Sequence, residues 1–211
     1  MTKNARLSNP LALAVLVLLF ERPMHPYEMA ATLKERHKEA SIKLRYGSLY
    51  TVIELLLRHG YIAAKETERE GKRPERTVYA LTPAGDVEMR DWLSDMLSTP
   101  VKEFPQFEAA LSLMPAIAPE RAVELLAARV VRLDREIERV KTALATIAAG
   151  VPRLFLIEAD FYITGLESER KFVDALARQI RDETLDGVTF WKQFHAAKSA
   201  GEPPPPLERK T

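Results

Sequence analysis

Residues Tyr46 to Gly60 read YGSLYTVIELLLRHG, and this stretch narrows the possible folds more than any other. Leu49, Val52, Ile53 and Leu56 recur at steps of three and four, which places them on one face of a helix. That face is apolar enough to be buried. The opposite face carries Ser48, Tyr50, Thr51 and Arg58, a mixture of hydroxyls and positive charge. Gly60 stands just past the last periodic residue, where helices commonly close in the left-handed conformation that glycine tolerates. A helix sealed on one side and hydroxyl-rich and basic on the other suits a DNA groove. Taken alone, the pattern better fits an ordinary amphipathic helix with a solvated outer face. The neighbouring segments decide.

Upstream, Asn9-Pro10 predicts a capped helix start, with Pro10 where its missing N–H costs nothing. Leu11 to Phe20 is apolar nearly all round, as in a helix at the middle of a small domain or at a subunit contact. Its ten residues fall short of the roughly 20 that span a bilayer, and no cleavage site of sensible spacing marks a signal peptide. Pro26 opens a second helix, expected over Tyr27 to about His37, with Met29, Ala30 and Leu33 inward and Lys34, Glu35, Arg36 and Lys38 solvated. Three helices with short connections are the helical part of a helix-turn-helix domain.

Downstream, Tyr61 to Glu68 and Thr77 to Leu81 read as the two strands of a hairpin. Between them the polar tip holds Arg69, Lys72, Arg73 and Arg76. A basic-tipped hairpin after a third helix is a wing that lies along phosphates or reaches the minor groove. Glu70 and Glu75 offset part of that charge, so a merely solvated hairpin is the alternative; the helices in front favour the wing. Arg45 and Tyr46 at the start of the third helix join Ser48, Tyr50, Thr51, Arg69, Lys72, Arg73 and Arg76 as the expected DNA-contacting residues. Charge agrees. Residues 1–85 hold 14 Lys and Arg against 9 Asp and Glu, a balance of +5, and the remainder hold 17 against 21, a balance of −4. Only the first half is suited to a polyanion.

Thr82-Pro83 predicts a fourth helix to about Ser98, with Val87, Trp92, Leu93 and Leu97 as its apolar stripe. Residues 99–105, with two prolines, read as a linker, and Phe107, Leu111 and Met114 mark a short helix. From Pro119 the pattern changes: Val123, Leu126, Val130, Leu133, Ile137, Val140, Leu144 and Ile147 alternate steps of three and four for about four heptads. Gly150-Val151-Pro152 breaks this run, and a second long helical segment carries Phe155, Phe161, Phe172, Leu176, Ile180, Val188 and Trp191. Such a break folds two helices back as an antiparallel hairpin. Two helices bury little by themselves, so a second subunit is expected to cover the rest. The expected dimer contacts are Val123 to Ile147 of the first seam with Phe161, Phe172, Leu176 and Ile180 of the second. The division is therefore 1–98 for the DNA-binding domain, 99–105 for the linker, 106–198 for the helical dimerisation domain and 199–211 for a disordered, proline-rich tail.

The blocks Pro26-Tyr27-Glu28-Met29, Gly47-Ser48-Leu49-Tyr50-Thr51, Leu57-Arg58-His59-Gly60-Tyr61-Ile62 and Lys72 to Gly85 resemble, in order and spacing, those of PadR-family transcriptional regulators. They cover most of residues 11–90. The chain departs from the family pattern where Pro74-Glu75 interrupts the basic tip and where Leu56-Leu57-Arg58 replaces a Leu-Glu pair. The resemblance implies a mainly α protein: an N-terminal winged helix-turn-helix followed by a C-terminal antiparallel helical hairpin or coiled coil. It implies a homodimer that represses, less often activates, transcription from a palindromic operator in double-stranded DNA. The third helix would enter the major groove through Ser48, Tyr50 and Thr51, with Lys72, Arg73 and Arg76 on the wing.

Other classes are less well served. His25, His37, His59 and His195 sit at no metal-ligand spacing, and no nucleophile triad or phosphate loop is present. No enzyme, metal or cofactor is expected. With no cysteine, thiolate sites and disulfides are excluded, which suits a cytoplasmic setting with no membrane partner. A winged-helix scaffold that binds protein is the rival reading, and the basic first half opposes it. A small-molecule effector between the first helix and the C-terminal helices is an elaboration of the main reading, with Trp92 and Trp191 as stacking candidates or packing residues.

Overall fold

The structure, a computed structural model, describes residues 9–38, 41–42, 46–68, 76–203 and 205–206, and at 46, 66–68 and 76 the backbone alone. It divides into two compact units, residues 1–102 and 103–211.

The first unit is built on helix α1 (Pro10–Glu21), which the Asn9 side chain caps by accepting from the Leu11 N–H at 3.0 Å. Its apolar circumference is used as expected: Leu11, Val15 and Leu16 are fully buried. Helix α2 (Pro26–Glu35) starts under a His25 cap, Nδ1 accepting from the Tyr27 N–H. It ends two residues earlier than the apolar pattern suggests, and His37 beyond it takes a positive φ of 54°. Helix α3 (Tyr46–Arg58) puts Leu49, Val52, Ile53 and Leu56 into the core with Met24, Met29 and Leu33. Fully burying one such side chain contributes about 1.5–3 kcal/mol, so four of them fix which way α3 faces. Its end is a Schellman closure: Gly60, at φ +70°, donates to Leu57 O, and Tyr61 donates to Leu56 O.

Strands β1 (Ile62–Glu68) and β2 (Arg76–Leu81) form the hairpin, pairing Ile62 with Leu81, Ala64 with Tyr79 and Glu68 with Arg76. The register slips between Ala64 and Glu66, which leaves Lys65 at a bulge that bends the hairpin. Met24 adds a bridge to the other edge of β2, exchanging both backbone bonds with Tyr79. Helix α4 (Pro83–Ser98) is capped by Thr82, whose hydroxyl accepts from Gly85 N–H at 3.0 Å. The expected stripe of α4 is corrected: Met89 and Trp92 are buried with Leu93 partly so, whereas Val87 and Leu97 face solvent. Residues 85, 89 and 92 follow the helical step, and Val87 lies half a turn away from them.

The second unit consists of α5 (Gln106–Leu113), a 3₁₀ turn at Met114–Ala116, α6 (Pro119–Ala148), a 3₁₀ turn at Arg153–Leu156, α7 (Ile157–Arg181) and α8 (Val188–Ala200). The hairpin of α6 and α7 is antiparallel, tied across by Arg129–Glu169, Arg170–Asp134 and Lys141–Glu167. These pairs are largely exposed, and each contributes about 0–1 kcal/mol. The core is Ala122, Leu126 and Leu133 against Val173, Ala177, Ile180 and Trp191. Two sequence expectations change here. The second segment is not one helix: it breaks at 182–187, where Glu183 and Gly187 take positive φ of 56° and 87°. Ser199 and Ala200 belong to α8, while 204 and 207–211 of the expected tail lie outside the described residues.

Candidate nucleic-acid interface

With Leu49 and Leu56 at 0% exposure, the outward face of α3 is set by elimination: Gly47, Tyr50, Thr51, Glu54 and Arg58 are exposed. Tyr50 and Thr51 thus stand where the sequence places them. Ser48 is half-buried, at the flank of that face. The Thr51 hydroxyl donates to Gly47 O at 3.1 Å, so its oxygen keeps acceptor capacity outward and its methyl group is held in one rotamer. Tyr46 is described by its backbone only, and Arg45 lies outside the described residues.

Glu54 is a face member that sequence reasoning passed over. It stands one turn from Tyr50 and Thr51, and its signal was the same three-to-four spacing that marked the buried side. A carboxylate there repels phosphate but accepts from a cytosine amino group. Lys65, exposed at the bulge, is a second omission. Arg22 and Arg36 are occupied: Arg36 grips Glu21 with both terminal nitrogens at 2.5 and 2.8 Å, and Arg22 pairs Glu28. The hydrogen bond from Arg36 holds the Glu21 carboxyl below its ordinary range. Arg36 is therefore tied between helices and not merely solvated.

The hairpin is anchored to the end of α3 and the start of α4 at one joint. The Thr82 hydroxyl donates to Gly60 O at 2.7 Å while its N–H donates to Tyr61 O at 3.0 Å. The Tyr61 ring stacks on His59, and its hydroxyl donates to Glu88 at 3.3 Å. Burial, with the Glu88 charge beside it, pushes the Tyr61 phenol up. Ile62 is buried under the hairpin base. Of the expected wing cations, Arg69, Lys72 and Arg73 lie outside the described residues, and Arg76 is described only as the backbone that opens β2.

The expected subunit-contact residues separate into two sets. Leu126, Leu133, Ile137 and Ile180 are buried within the chain, and Val123, Val130, Val140, Leu144, Ile147 and Leu176 are half-buried. The heptad seam of α6 is thus largely used by α7. Phe161, 81% exposed, and Phe172, 53% exposed, face away from that hairpin core, as do Phe155 and Ile157. Trp92 and Trp191 are both buried packing residues. No helix among the described residues is long and apolar enough to cross a membrane.

Residues 15–91 match the model of the Transcriptional regulator PadR-like family. No curated protein matches the chain. Among solved structures, PadR of Bacillus subtilis in complex with operator DNA aligns with a TM-score of 0.58 at 20% identity, over 78% of this chain and 99% of that one. The same protein in complex with p-coumaric acid aligns with a TM-score of 0.57 at 18% identity, over 78% and 98%. The Vibrio cholerae virulence activator AphA aligns with a TM-score of 0.61 at 14% identity, over 82% and 99%. At these identities the likeness is one of fold.

Proposed function

We propose that this chain, whose residues 15–91 match the model of the Transcriptional regulator PadR-like family, is a regulator of that family that binds duplex DNA as a homodimer and regulates transcription where it binds. The observation that carries this reading is the fixed orientation of α3. Its apolar side is sealed, so Tyr50, Thr51 and Glu54 are presented together, and the Thr82–Gly60 bond sets the hairpin beside the helix end. A rigid helix of this width fits the major groove, and a hairpin fixed at its base can follow the adjacent backbone. In that placement Ser48, Tyr50 and Thr51 approach base edges, with Arg45 and Tyr46 at the helix start and Arg69, Lys72, Arg73 and Arg76 on phosphates.

The dimer is supported by the exposed apolar stripe of α7. Ile157, Phe161 and Phe172 lie along one side of that helix, and Gly165 between them has open space above its Cα. Large exposed apolar side chains in a row mark an interaction surface. A dimer carries two α3 helices, and helix-turn-helix dimers meet half-sites about one helical turn, 34–36 Å, apart, so the operator is a dyad. A dimer seated across a promoter blocks polymerase and represses, whereas one seated upstream of it activates; the reading favoured here is repression, in the cytoplasm. The structures of Bacillus subtilis PadR with operator DNA and with p-coumaric acid support extending the reading to control by a small molecule. Selection of bound sites from a random DNA pool tests the proposal: enriched dyads support it, and a failure to enrich any sequence defeats it.

A further inference from the structure

Two polar groups in the middle of the outward face of α3 accept hydrogen bonds and have none to give. Glu54 is exposed one turn beyond Tyr50 and Thr51, and its carboxylate has no hydrogen-bond or ion-pair partner among the described residues. Thr51 directs its hydroxyl hydrogen to Gly47 O at 3.1 Å, so only the lone pairs of that oxygen remain for a base. We propose that Glu54 selects a cytosine in each half-site through its exocyclic amino group, and that methylation of this amino group closes the operator to the protein. This role presupposes the DNA-binding function proposed for the chain. To that function it adds the identity of one base and a means of control.

The major groove leaves a carboxylate few choices. Guanine presents two acceptors there, and thymine presents an acceptor and a methyl group. The only donors are N4 of cytosine and N6 of adenine. An ionised carboxylate accepts and cannot donate, so it gains a bond from cytosine or adenine alone. Adenine sets its N7 acceptor beside N6, where it repels the second carboxylate oxygen, and cytosine is therefore preferred. A wrong base is penalised heavily. Over guanine or thymine the carboxylate is stripped of water and faces carbonyl oxygens inside a polyanion, and an unpaired charge costs more than an unpaired neutral group.

The position of Glu54 is fixed from behind. Leu49, Val52, Ile53 and Leu56 are buried, so α3 cannot turn to offer another face. Residues three apart on a helix are separated by about 4.5 Å along its axis, and successive bases of one strand by about 3.4 Å. A helix lying along the groove thus brings Thr51 and Glu54 to neighbouring base steps. Tyr50 and Arg58, the exposed donors of the same face, lie one turn to either side of Glu54 and do not change what its carboxylate can accept. Sensitivity to methylation follows from the same bond. One amino hydrogen of cytosine pairs with guanine and the other points into the major groove. A methyl group on that nitrogen takes the second place while the base pair is kept, so the duplex survives and the donor is lost.

The test begins with sites selected from a random DNA pool by the full chain and by Glu54→Ala, which leaves the buried side of α3 untouched. The wild-type sites should hold cytosine on a fixed strand at one step per half-site, and the variant should lose that preference. Fluorescence anisotropy then compares the selected duplex unmodified, with N4-methylcytosine at that step in both half-sites, and with 5-methylcytosine there. N4-methylation should weaken wild-type binding by about tenfold or more, the scale of one lost base contact. 5-Methylcytosine keeps its amino group and should weaken binding by less than about threefold. Glu54→Ala should bind the unmodified and N4-methylated duplexes within about twofold of each other. Another base than cytosine at the step that the variant relaxes, no relaxed step at all, or equal wild-type affinity for the unmodified and N4-methylated duplexes overturns the proposal. Each of these outcomes leaves the regulator reading standing, because dyads are still enriched. A wild-type chain that enriches no sequence would sink the regulator reading itself.

Discussion

Gly85 passes so close beneath the carbonyl of Tyr61 that a Cβ on it would lie 2.0 Å from that oxygen. No side chain fits there, and the obstacle is backbone, so α4 or the helix-to-hairpin turn must move to admit one. Because Thr82 and Tyr61 join α3, the hairpin and α4 at this spot, the displacement is transmitted to the DNA-facing elements. Gly85→Ala should cost about 1–3 kcal/mol, the usual range for overpacking, read from urea unfolding. It should also weaken operator binding although residue 85 touches no DNA. Unchanged stability would mean the contact relaxes freely.

On the reading face, Thr51 and Glu54 should set preference and not bulk affinity. Replacing Thr51 by Val or Glu54 by Gln removes a polar contact to a base edge, and each such contact discriminates by about 1–3 kcal/mol. Sites selected by each variant should differ from the wild-type dyad at one position per half-site, with random-sequence affinity held. Glu54→Gln should bind random DNA no more weakly than wild type, because a repulsive carboxylate is gone. Identical selected sites would remove both residues from base reading.

Much of this architecture was legible in the chain itself. The caps at Asn9 and Thr82, the closing Gly60 and the buried quartet on α3 follow from local rules, and each stands where the residues place it. The helical seam of α6 and its antiparallel fold-back were legible too, but not how the seam is shared between the second helix and another subunit. Heptad spacing says that a stripe is covered and leaves open whether the cover comes from the same chain or another. Here Val173, Ala177 and Ile180 of α7 cover Leu126 and Leu133. The stripe of α4 misled because Val87 and Leu97 are apolar yet off the buried face, and an exposed apolar residue carries no signal of its own. Glu54 was missed because charge on a basic surface is read as solvation. Gly85 could be named as a motif residue, but its reason, a carbonyl from a residue 24 positions earlier, exists only in three dimensions.

That division of the C-terminal residues changes how the dimer should be probed. Phe161→Asp with Phe172→Asp places charges on the exposed side of α7 and should yield monomers with unchanged helix content. Leu133→Asp with Ile137→Asp buries charge inside the protomer, a cost of several kcal/mol without pairing, and should unfold the second unit. Light scattering and circular dichroism distinguish the two. A dimer mass for the phenylalanine pair would move the interface elsewhere, and native helicity in the Leu133 and Ile137 pair would contradict the packing described for α6 and α7.

The wing should behave in the opposite way to the reading helix. Cations that meet phosphate displace condensed counterions, and each contact contributes roughly 0.9 to the slope of log affinity against log salt on B-form DNA. Replacing Arg73 and Arg76 together with Ala should therefore weaken operator and random DNA alike and flatten that slope by about 1.8 per subunit. The Pro74-Glu75 interruption offers a different geometry, in which the tip turns into the minor groove and an arginine reads its narrowness at A·T-rich steps. The double variant would then lose affinity mainly for operators with A·T-rich flanks, at a smaller change of slope. Affinities for the operator, an operator with G·C-rich flanks and a random duplex, each at three salt concentrations, separate the outcomes. Intact binding with an unchanged slope would leave the wing cations without a role on DNA.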